Sequence, residues 1–448
     1  MEKISIDVWV TTIDQKKLLE KQEKVNFKAK VENTEYIINI DENKTYQQMD
    51  GFGASLTDAS AWLIYNTLSE ENCMKLMNQI FDKNKGIGMS FIRQPIGASD
   101  YALNVYSYDD VQKGETDFKL EKFSIDHDKR YIIPLIKEAM DINKDIKIMA
   151  TPWSPPGWMK TSDNMIGGIL KLDCYDSYAK YFTRFIQEYK KQGITIYAIS
   201  PQNEPLFNPE KYPGMIMKPE EQLNFIKNNL GPAFKINGID TKIMCYDHNW
   251  DMESYPLLIF SDVEASKFIA GSAWHYYGGA HEVMSKVHNK YHSKDIWFTE
   301  GSGGEWIPPV HDAFLDQMKH VIRIPRNWSK SIVWWNIALD NENGPSLLDN
   351  STCRGIVTIN QNTGDIIYNL DYYTMGHISK FVVPGAYRID SNTYENDIEN
   401  VAFKNPDGTK VLIISNRKKE DKLIKVEVSS KSFQYLITGE SAVTFVWK

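Results

Sequence analysis

Short apolar, β-branched runs alternate with amphipathic segments along most of the chain. Eight such runs occur in order: Asp50 to Ser55, Gly88 to Ile96, Ile146 to Pro152, Ile194 to Ser200, Lys242 to Tyr246, Phe268 to His275, Asp295 to Thr299 and Ser331 to Asn336. Runs of this kind are typical of strands buried in a parallel sheet. The pattern therefore predicts eight strands.

The gaps between these strands contain helical spacing of apolar residues. One helix is predicted to start behind an N-cap at Ser69, and a second is predicted to end at Gly193. A third begins at Pro219 and is predicted to end at Gly231 and Pro232. Alternating strands and helices predict a (β/α)₈ barrel (TIM barrel), of the α/β class, over about residues 46–380. A doubly wound open sheet is the structural alternative.

The two ends of the chain have a different pattern. From Val382 onward, short alternating runs are separated by turn signals, which is typical of a small β-domain. The segments Ile4 to Thr12 and Tyr36 to Ile40 also have the pattern of strands, yet they precede the first barrel strand. We therefore expect residues 1–45 and 381–448 to form one β-sandwich beside the barrel.

Composition narrows the classes of partner. The 448 residues carry a formal net charge of -8. This charge disfavours nucleic acid as a partner, because a protein that binds nucleic acid needs a strongly basic surface. The chain also contains 12 Trp and 24 Tyr, and aromatic clefts in acidic proteins often hold sugars. A carbohydrate or glycoside is therefore the expected partner. Composition leaves the oligomeric state open.

The chain has no run of 18 apolar residues and no apolar segment of a secretory signal at its N-terminus. We therefore expect no transmembrane segment, and a protein that is either cytoplasmic or secreted with its leader removed. The four cysteines form no CxxC pair, so we expect free thiols rather than a zinc site or a disulfide framework.

Two predicted strands end next to a glutamate. The fourth leads into Asn203-Glu204-Pro205, and the seventh leads into Thr299-Glu300-Gly301. In a β/α barrel the reactive groups lie at the C-terminal ends of the strands. Two facing carboxylates in an aromatic cleft are what a retaining glycosidase uses, one as nucleophile and one as acid and base. Glu204 and Glu300 are therefore the candidate catalytic residues.

Several motifs resemble those of one family, the glucosylceramidase-like enzymes of glycoside hydrolase family 30. Besides the two glutamate motifs, the matching stretches are Gln48 to Asp58, Ile92-Arg93, Gly97 to Tyr101, Thr151 to Thr161, Trp335 to Asp340 and Gly376 to Phe381. The resemblance covers almost the whole chain. It implies a retaining β-glycosidase acting on β-glucosidic bonds, with Glu300 as nucleophile, Glu204 as acid/base, and no cofactor or metal.

The resemblance also implies residues that surround the sugar. Asp100 and Trp153 bind hydroxyls of the terminal sugar, Asn203 binds the 2-hydroxyl, and Trp335 covers the sugar face. These residue types suit the task, because carboxylates and amides bond vicinal hydroxyls and aromatic rings cover the C–H face of a pyranose. The alternatives are structural: a helix cap, a turn residue or a core aromatic.

Three further residues are implied as supports. Arg93 and Tyr277 lie beside Glu300 and keep it ionised, and Tyr277 also lines the sugar site. His275 resembles a histidine that the family carries at the end of strand six, with a purely structural role as its alternative. Tyr276 and the stretch Gly301–Gly304 depart from the animal members of the family, which leaves the leaving-group preference open.

Other functions stay open as alternatives. Within the same family these are a β-1,6-glucanase and a β-xylosidase or β-fucosidase. Outside it, a non-catalytic sugar-binding barrel needs no glutamates at positions 204 and 300. His288 and His292 have helical spacing but lack the glutamate of a zinc hydrolase motif, so we expect no metal site there. Gly301–Gly304 is also compatible with a phosphate cradle, which Glu300 would oppose.

Overall fold

The computed structural model describes residues 4–29, 31–307 and 310–448. Eight parallel strands form the barrel: β1 (Gly51–Ser55), β2 (Phe91–Pro95), β3 (Lys147–Thr151), β4 (Ala198–Ile199), β5 (Lys242–Trp250), β6 (Ile269–Gly279), β7 (Asp295–Glu300) and β8 (Ser331–Asn336). Each strand pairs with the next one in sequence from β1 to β7, and β8 pairs with β1. The predicted (β/α)₈ barrel is confirmed, and the open sheet is excluded.

Serine hydroxyls join β7 to β8, where the ladder of backbone hydrogen bonds is incomplete. Phe298 N donates to Ser329 Oγ at 2.8 Å, and Ser331 Oγ donates to Phe298 O at 3.0 Å. Lys330 N also donates to Ile296 O at 2.8 Å. These contacts bring the last two strands side by side and complete the circle of eight.

The barrel interior is filled by side chains rather than left as a channel. One buried layer takes a single residue from each strand from β2 to β8: Phe91, Met149, Ala198, Met244, Ala273, Trp297 and Val333. At the N-terminal end, Asp50 accepts hydrogen bonds from the side chains of Lys147, Tyr197 and Trp297. This packing closes the N-terminal end of the barrel. In barrels of this fold the reactive groups lie at the opposite, C-terminal end.

Helices cover the outside of the barrel. In the described part of the chain, the α-helices are Asp58–Thr67, Glu70–Phe81, Ile132–Ile142, Tyr175–Lys191, Pro219–Phe225, Gly231–Ile236, Ser254–Ser261, Val263–Ser266, Glu282–Lys290, Val310–Arg326 and Leu370–Ser379. Ser69 caps its helix by accepting from Asn72 N, as predicted. Gly193 follows the end of its helix with a φ of 82°. Within this part of the chain, the helices are too short or too polar to span a bilayer.

The predicted end of the third helix is wrong. The chain passes from the helix Pro219–Phe225 through a π-turn at Ile226–Leu230 directly into the helix Gly231–Ile236. Pro232 fits because a proline in the first turn of a helix removes no intrahelical hydrogen bond. Gly231 serves a close contact instead of a helix end, since an added Cβ would lie 2.2 Å from the ring of Phe268.

Both chain ends contribute to the side domain, as predicted. In the described ranges, one nine-stranded sheet contains Ser5–Thr12, Glu20–Asn26, Tyr36–Gln48, Tyr387–Ser391, Ile398–Lys404, Lys410–Asn416, Lys422–Val428, Lys431–Ile437 and Ser441–Trp447. Its two ends meet where Lys28 and Ser432 exchange backbone hydrogen bonds, so the sheet folds over its own apolar core. The domain boundaries at residues 45 and 380 stay predictions, and residues 1–3 and 30 lie outside the described residues.

The strand Glu20–Asn26 gave no signal in the sequence. It lies at one end of the sheet order, and its residues are largely exposed and polar. An edge strand of this kind lacks the apolar alternation by which half-buried strands are recognised.

A buried histidine joins the barrel to the sandwich. His377 lies in the helix Leu370–Ser379, has no exposed surface, and bonds Thr11 Oγ1 and Thr444 Oγ1 at 2.8 Å each. Thr11 and Thr444 belong to strands from the two ends of the chain. Burial lowers the pKa of His377 to about 3, so the ring is neutral in the folded protein.

We predict that His377 makes the fold sensitive to acid. Between the unfolded pKa of about 6.5 and the folded pKa of about 3, the unfolded chain binds a proton at this histidine and the folded chain does not. The free energy of unfolding therefore falls as the pH falls through this range. Well below pH 6.5, each pH unit removes up to about 1.4 kcal/mol. Tm measured from pH 7 to pH 4 should therefore fall less steeply in His377→Gln than in the wild type. Parallel curves would contradict this role.

Candidate active site

Two glutamates face each other at the C-terminal end of the barrel. Glu204 follows β4, and Glu300 is the last residue of β7, where the pairing register with β6 shifts between Phe298 and Glu300. Such a shift re-aims a side chain at the end of a strand. One carboxylate oxygen of each glutamate and one ring nitrogen of His275 lie within 4.8 Å of one another.

Arg93 on β2 connects the groups of this cluster. Its side chain has no exposed surface, and it donates to Glu300 Oε2 at 2.5 Å, to Asn203 Oδ1 at 2.7 Å and to Asp247 Oδ2 at 3.0 Å. Burial opposes its charge, but Asp247 and Glu300 outweigh burial and raise the pKa of Arg93. A permanent positive charge therefore lies under the carboxylates.

Asp247 on β5 is a central residue that the sequence analysis missed. Besides Arg93, it accepts hydrogen bonds from Ser200 Oγ at 2.5 Å, from Thr299 Oγ1 at 2.6 Å and from the ring of His275 at 3.0 Å. Burial alone would raise its pKa, but Arg93 and His275 hold the pKa of Asp247 well below its usual range. The sequence did contain an indication of this residue, because Asp247 directly follows the predicted strand end at Tyr246, where a polar side chain is a candidate for function.

The backbone is left-handed at three of these positions. Glu204, Tyr246 and Asp247 have φ values of 44°, 75° and 65°. Non-glycine residues rarely adopt such values, and they cluster at functional sites because surrounding contacts must maintain them. Here Glu204 N donates to Asp247 O at 3.0 Å, so the two strained segments hold each other.

His275, at the predicted place on β6, lies between two carboxylates. Nδ1 lies 3.1 Å from Glu204 Oε1, and Nε2 lies 3.0 Å from Asp247 Oδ1. Burial opposes protonation, but Glu300, Asp247 and Glu204 outweigh it and raise the pKa of His275 to about 9. The ring is therefore charged at neutral pH and donates to both sides.

The two glutamates titrate as a pair. Burial raises the pKa of Glu300 despite the opposing charges of His275 and Arg93. Burial also acts on Glu204, but its hydrogen bond with His275 outweighs that effect and lowers the pKa of Glu204. Because oxygens of the two carboxylates lie within 4.8 Å, ionisation of one glutamate opposes ionisation of the other, and the pair loses its protons in two separate steps.

Two buried tryptophans lie beside the carboxylates. The rings of Trp153 and Trp335 stack at 4.9 Å, and the guanidinium of Arg93 lies 5.0 Å from one ring centre and 5.6 Å from the other. Asn203 uses its side-chain oxygen for Arg93, so its amide N–H groups are the donors it can offer a ligand.

Asp100 has an unused hydrogen-bonding atom in the same region. Its Oδ1 is buried and has no hydrogen-bond partner in the described chain, and its backbone oxygen is held by Leu347 N at 2.8 Å and Ser346 Oγ at 3.0 Å. Burial, followed by the charge of Glu300, raises the pKa of Asp100 to about 8. An unsatisfied carboxyl in such a place is expected where a ligand supplies the missing bond.

The structure brings all nine predicted site residues to one end of the barrel. Tyr277 completes the set by donating to Glu300 Oε1 at 3.0 Å. Tyr212 is a second residue that the sequence analysis missed. It packs against the cluster containing Trp153 and Trp335, and the charges of Asp100 and both glutamates raise its pKa further after burial. Tyr212 lies in a loop well beyond the end of β4, so the rule that selects residues at strand ends did not identify it.

The phosphate-cradle alternative is disfavoured by the geometry. An added Cβ would lie 2.6 Å from Trp334 at Gly301 and 2.0 Å from Trp306 at Gly304, so these glycines accommodate rings rather than phosphate. His292 lies beyond the end of the helix Glu282–Lys290, and the ring of His288 stacks on Trp328 at 3.8 Å.

The acidic cluster is the one group in the described chain with a metal-like arrangement, formed by Glu204, His275 and Glu300. Its charge is already compensated by Arg93, and both ring nitrogens of His275 face carboxylates. The residues therefore fit proton and sugar chemistry better than they fit a cation.

Comparison with known proteins agrees with this geometry. The model of the glycosyl hydrolase family 30 TIM-barrel domain matches residues 49–382, and that of the family's β-sandwich domain matches residues 385–445. An endo-1,6-β-D-glucanase of Aspergillus fumigatus is 33% identical over 86% of this chain and 81% of its own length. The lysosomal acid glucosylceramidase of Mus musculus is 31% identical over 93% and 84%.

Solved structures share the same architecture. An endo-β1,6-glucanase structure superposes with a TM-score of 0.92 at 35% sequence identity and covers 99% of both chains. The SrfJ structure from Salmonella typhimurium has a TM-score of 0.93 at 27% identity, covering 99% of this chain and 100% of that chain. With both family domains matched in order and relatives over 30% identical along most of its length, the chain belongs to glycosyl hydrolase family 30 and is a glycoside hydrolase.

Proposed function

We propose that the protein is a retaining β-glycosidase that hydrolyses β-glucosidic bonds, with Glu300 as nucleophile and Glu204 as acid/base. The observation that carries this proposal is the distance between the two carboxylates, whose oxygens lie within 4.8 Å. Retaining enzymes place these groups about 5–5.5 Å apart, whereas inverting enzymes need about 6.5–9.5 Å to admit a water.

In the first step, a Glu300 oxygen attacks the anomeric carbon while the bond from that carbon to the leaving oxygen breaks. Glu204 gives its proton to the leaving oxygen, and a covalent glycosyl-enzyme remains. The hydrogen bonds from Arg93 and Tyr277 favour the ionised form of Glu300 that attacks, against the effect of burial, which raises its pKa. In the free site burial raises the pKa of Glu300 while His275 lowers the pKa of Glu204, so the attack requires that substrate binding places the proton on Glu204 and leaves Glu300 ionised.

In the second step, water attacks the anomeric carbon and the bond to Glu300 breaks. Glu204, now a carboxylate, takes the proton of the water, which restores the starting state with net retention. His275 serves both steps, because its charged ring supports the carboxylate form of Glu204 at 3.1 Å. Neither step calls for a metal or an organic cofactor.

We assign the sugar to the region beside the carboxylates. Asp100 offers its free oxygen and Asn203 its amide N–H groups to ring hydroxyls, while Trp153 and Trp335 form the apolar wall. A buried carboxyl with a free oxygen favours a terminal glucose whose hydroxyl supplies the missing bond, which supports exo-cleavage. An endo-β-1,6-glucanase is the second candidate, because the Aspergillus fumigatus relative and the protein of one solved structure are endo-β-1,6-glucanases.

We predict that Glu300→Gln abolishes turnover on every substrate. Loss of the nucleophile should lower kcat by about 1,000-fold or more, equivalent to about 4 kcal/mol of barrier. Glu305→Gln, on the same loop and exposed, is the matched control and should keep its activity. Steady-state rates with an aryl β-glucoside test this, with Tm as the check of folding. More than a tenth of the wild-type rate in Glu300→Gln would contradict the assignment.

We predict that Glu204→Ala slows only those steps of hydrolysis that need proton transfer from or to Glu204. A dinitrophenyl leaving group needs little protonation, so the glycosyl-enzyme should form and then accumulate until azide is added. The expected product is the β-glycosyl azide, identified by NMR. The exposed Glu210→Ala variant on the same loop serves as control. If azide gives no rescue, or gives the α-azide, Glu204 is not the acid/base.

We expect kcat/KM for an aryl β-glucoside to exceed that for the β-xyloside and β-fucoside. A missing hydroxyl that leaves buried Asp100 unpaired costs about 1–3 kcal/mol, or about 5- to 150-fold. Asp100→Ala should narrow this gap while lowering the rate on glucoside. Faster cleavage of xyloside would overturn the choice of sugar, and random internal cuts in a β-1,6-glucan would favour the endo-glucanase.

A further inference from the structure

The order of strands in the barrel places the residues assigned to the sugar on one side of the two glutamates. Residues assigned to the sugar follow or lie on β2, β3 and β8, namely Asp100, Trp153 and Trp335, while the two glutamates follow β4 and end β7. Three strands remain: β1 lies between β8 and β2 on the side of the sugar residues, and β5 and β6 lie together between β4 and β7. The group cleaved from the sugar therefore faces the ends of β5 and β6.

A cavity of about 590 Å³ lies on this side, between the ends of β5 and β6 and the helix Val310–Arg326. This volume is within the range of about 300–1,000 Å³ that is usual for ligand sites. The lining includes Trp250, Tyr276, Tyr277, Trp306, Lys319 and His320. This cavity is called the β6 cavity.

Tyr277 connects the β6 cavity to the reaction centre. Its hydroxyl donates to Glu300 Oε1 at 3.0 Å, while its ring lines the cavity and is 41% exposed. The cavity thus begins one side chain away from the proposed nucleophile.

Trp306 gives the β6 cavity an exposed aromatic wall. The indole is 46% exposed, and it lies against the backbone of Gly304, where an added Cβ would be only 2.0 Å from the ring. Large aromatic side chains are normally buried, so two half-exposed rings at the mouth of one cavity indicate a ligand with an apolar face. The C–H faces of a pyranose have this character.

Part of the lining is charged, and this part is called the polar wall. Asp316, Lys319 and Arg323 line it with charged groups, and Lys319 and Asp316 form an ion pair at 2.5 Å. The buried Nδ1 of His320 and the buried Nε1 of Trp250 have no hydrogen-bond partner in the described ranges. An alkyl chain here would desolvate the charges without replacing their hydrogen bonds, whereas sugar hydroxyls supply such bonds.

We propose that the β6 cavity receives the sugar on the leaving-group side, so that the substrate is a β-linked gluco-oligosaccharide rather than a glycolipid. This rests on the proposed function of Glu204 and Glu300. It deepens that function by naming the class of leaving group, with one ring of the leaving saccharide stacked on Trp306 and its hydroxyls directed to the polar wall.

Trp306→Ala tests the proposal with three substrates. The first is a β-1,6-linked glucotetraose, the second is β-glucosyl fluoride, whose leaving group is too small to reach the cavity, and the third is dodecyl β-glucoside. We expect the ratio of kcat/KM for the tetraose to that for the fluoride to fall at least tenfold, mainly through KM. Trp306→Phe should restore most of that ratio because the aromatic face is kept.

A matched control and a polar variant sharpen the experiment. Tyr387→Ala removes an aromatic side chain of similar exposure, 43%, from the sandwich sheet and should leave the ratio as in the wild type. Lys319→Met makes the polar wall apolar and should lower the rate on the tetraose while raising the rate on dodecyl β-glucoside.

Three outcomes would overturn the proposal. They are an unchanged tetraose-to-fluoride ratio in Trp306→Ala, a larger loss on dodecyl β-glucoside than on the tetraose, and a Phe variant no better than Ala.

Failure of the proposed function itself would be visible separately as absence of hydrolysis of β-glucosyl fluoride by the wild type. In that case, quenching of tryptophan fluorescence by the tetraose still tests the cavity. The proposal requires quenching that is lost in Trp306→Ala, and equal quenching in the two proteins would refute it.

Discussion

One buried positive charge, the guanidinium of Arg93, holds the active site together. It has no exposed surface, and its partners Asn203, Asp247 and Glu300 belong to three other strand ends. Removing one partner of a buried ion pair typically costs about 3–5 kcal/mol, because the other charge remains buried without compensation. The carboxylates and the arginine therefore depend on each other, and the C-terminal ends of β2, β4, β5 and β7 are held in one arrangement at the candidate active site.

The strained backbone of the site follows from this constraint. Left-handed φ values at Glu204, Tyr246 and Asp247 cost about 1–3 kcal/mol each, and they persist because the buried network determines where these residues must lie. Asp247 offsets part of this cost through four hydrogen bonds from side chains. The other end of the barrel carries a simpler polar cluster around Asp50, which supports the floor and takes no part in the proposed reaction.

Local patterns of apolar and polar residues determine much of the fold. Apolar run length and helical spacing placed all eight barrel strands and the cap at Ser69, because burial on both faces of a parallel strand leaves a continuous apolar run. The same patterns did not predict the edge strand Glu20–Asn26, because its residues are largely exposed and polar. They wrongly predicted a helix end at Gly231, because that glycine accommodates the ring of Phe268. Strand-end position, together with family resemblance, selected Glu204 and Glu300.

Tertiary structure alone decided how these residues work. The sequence separates Arg93 from Glu300 by 207 positions, and the barrel brings them to 2.5 Å. The importance of Asp247, the charge of His275, the unpaired oxygen of Asp100 and the β6 cavity all depend on which strand ends become neighbours around the circle. Sequence determined the types of side chain at each strand end, since periodicity is local. Distance, burial and protonation arise between segments far apart in the chain, so only the closed barrel could set them.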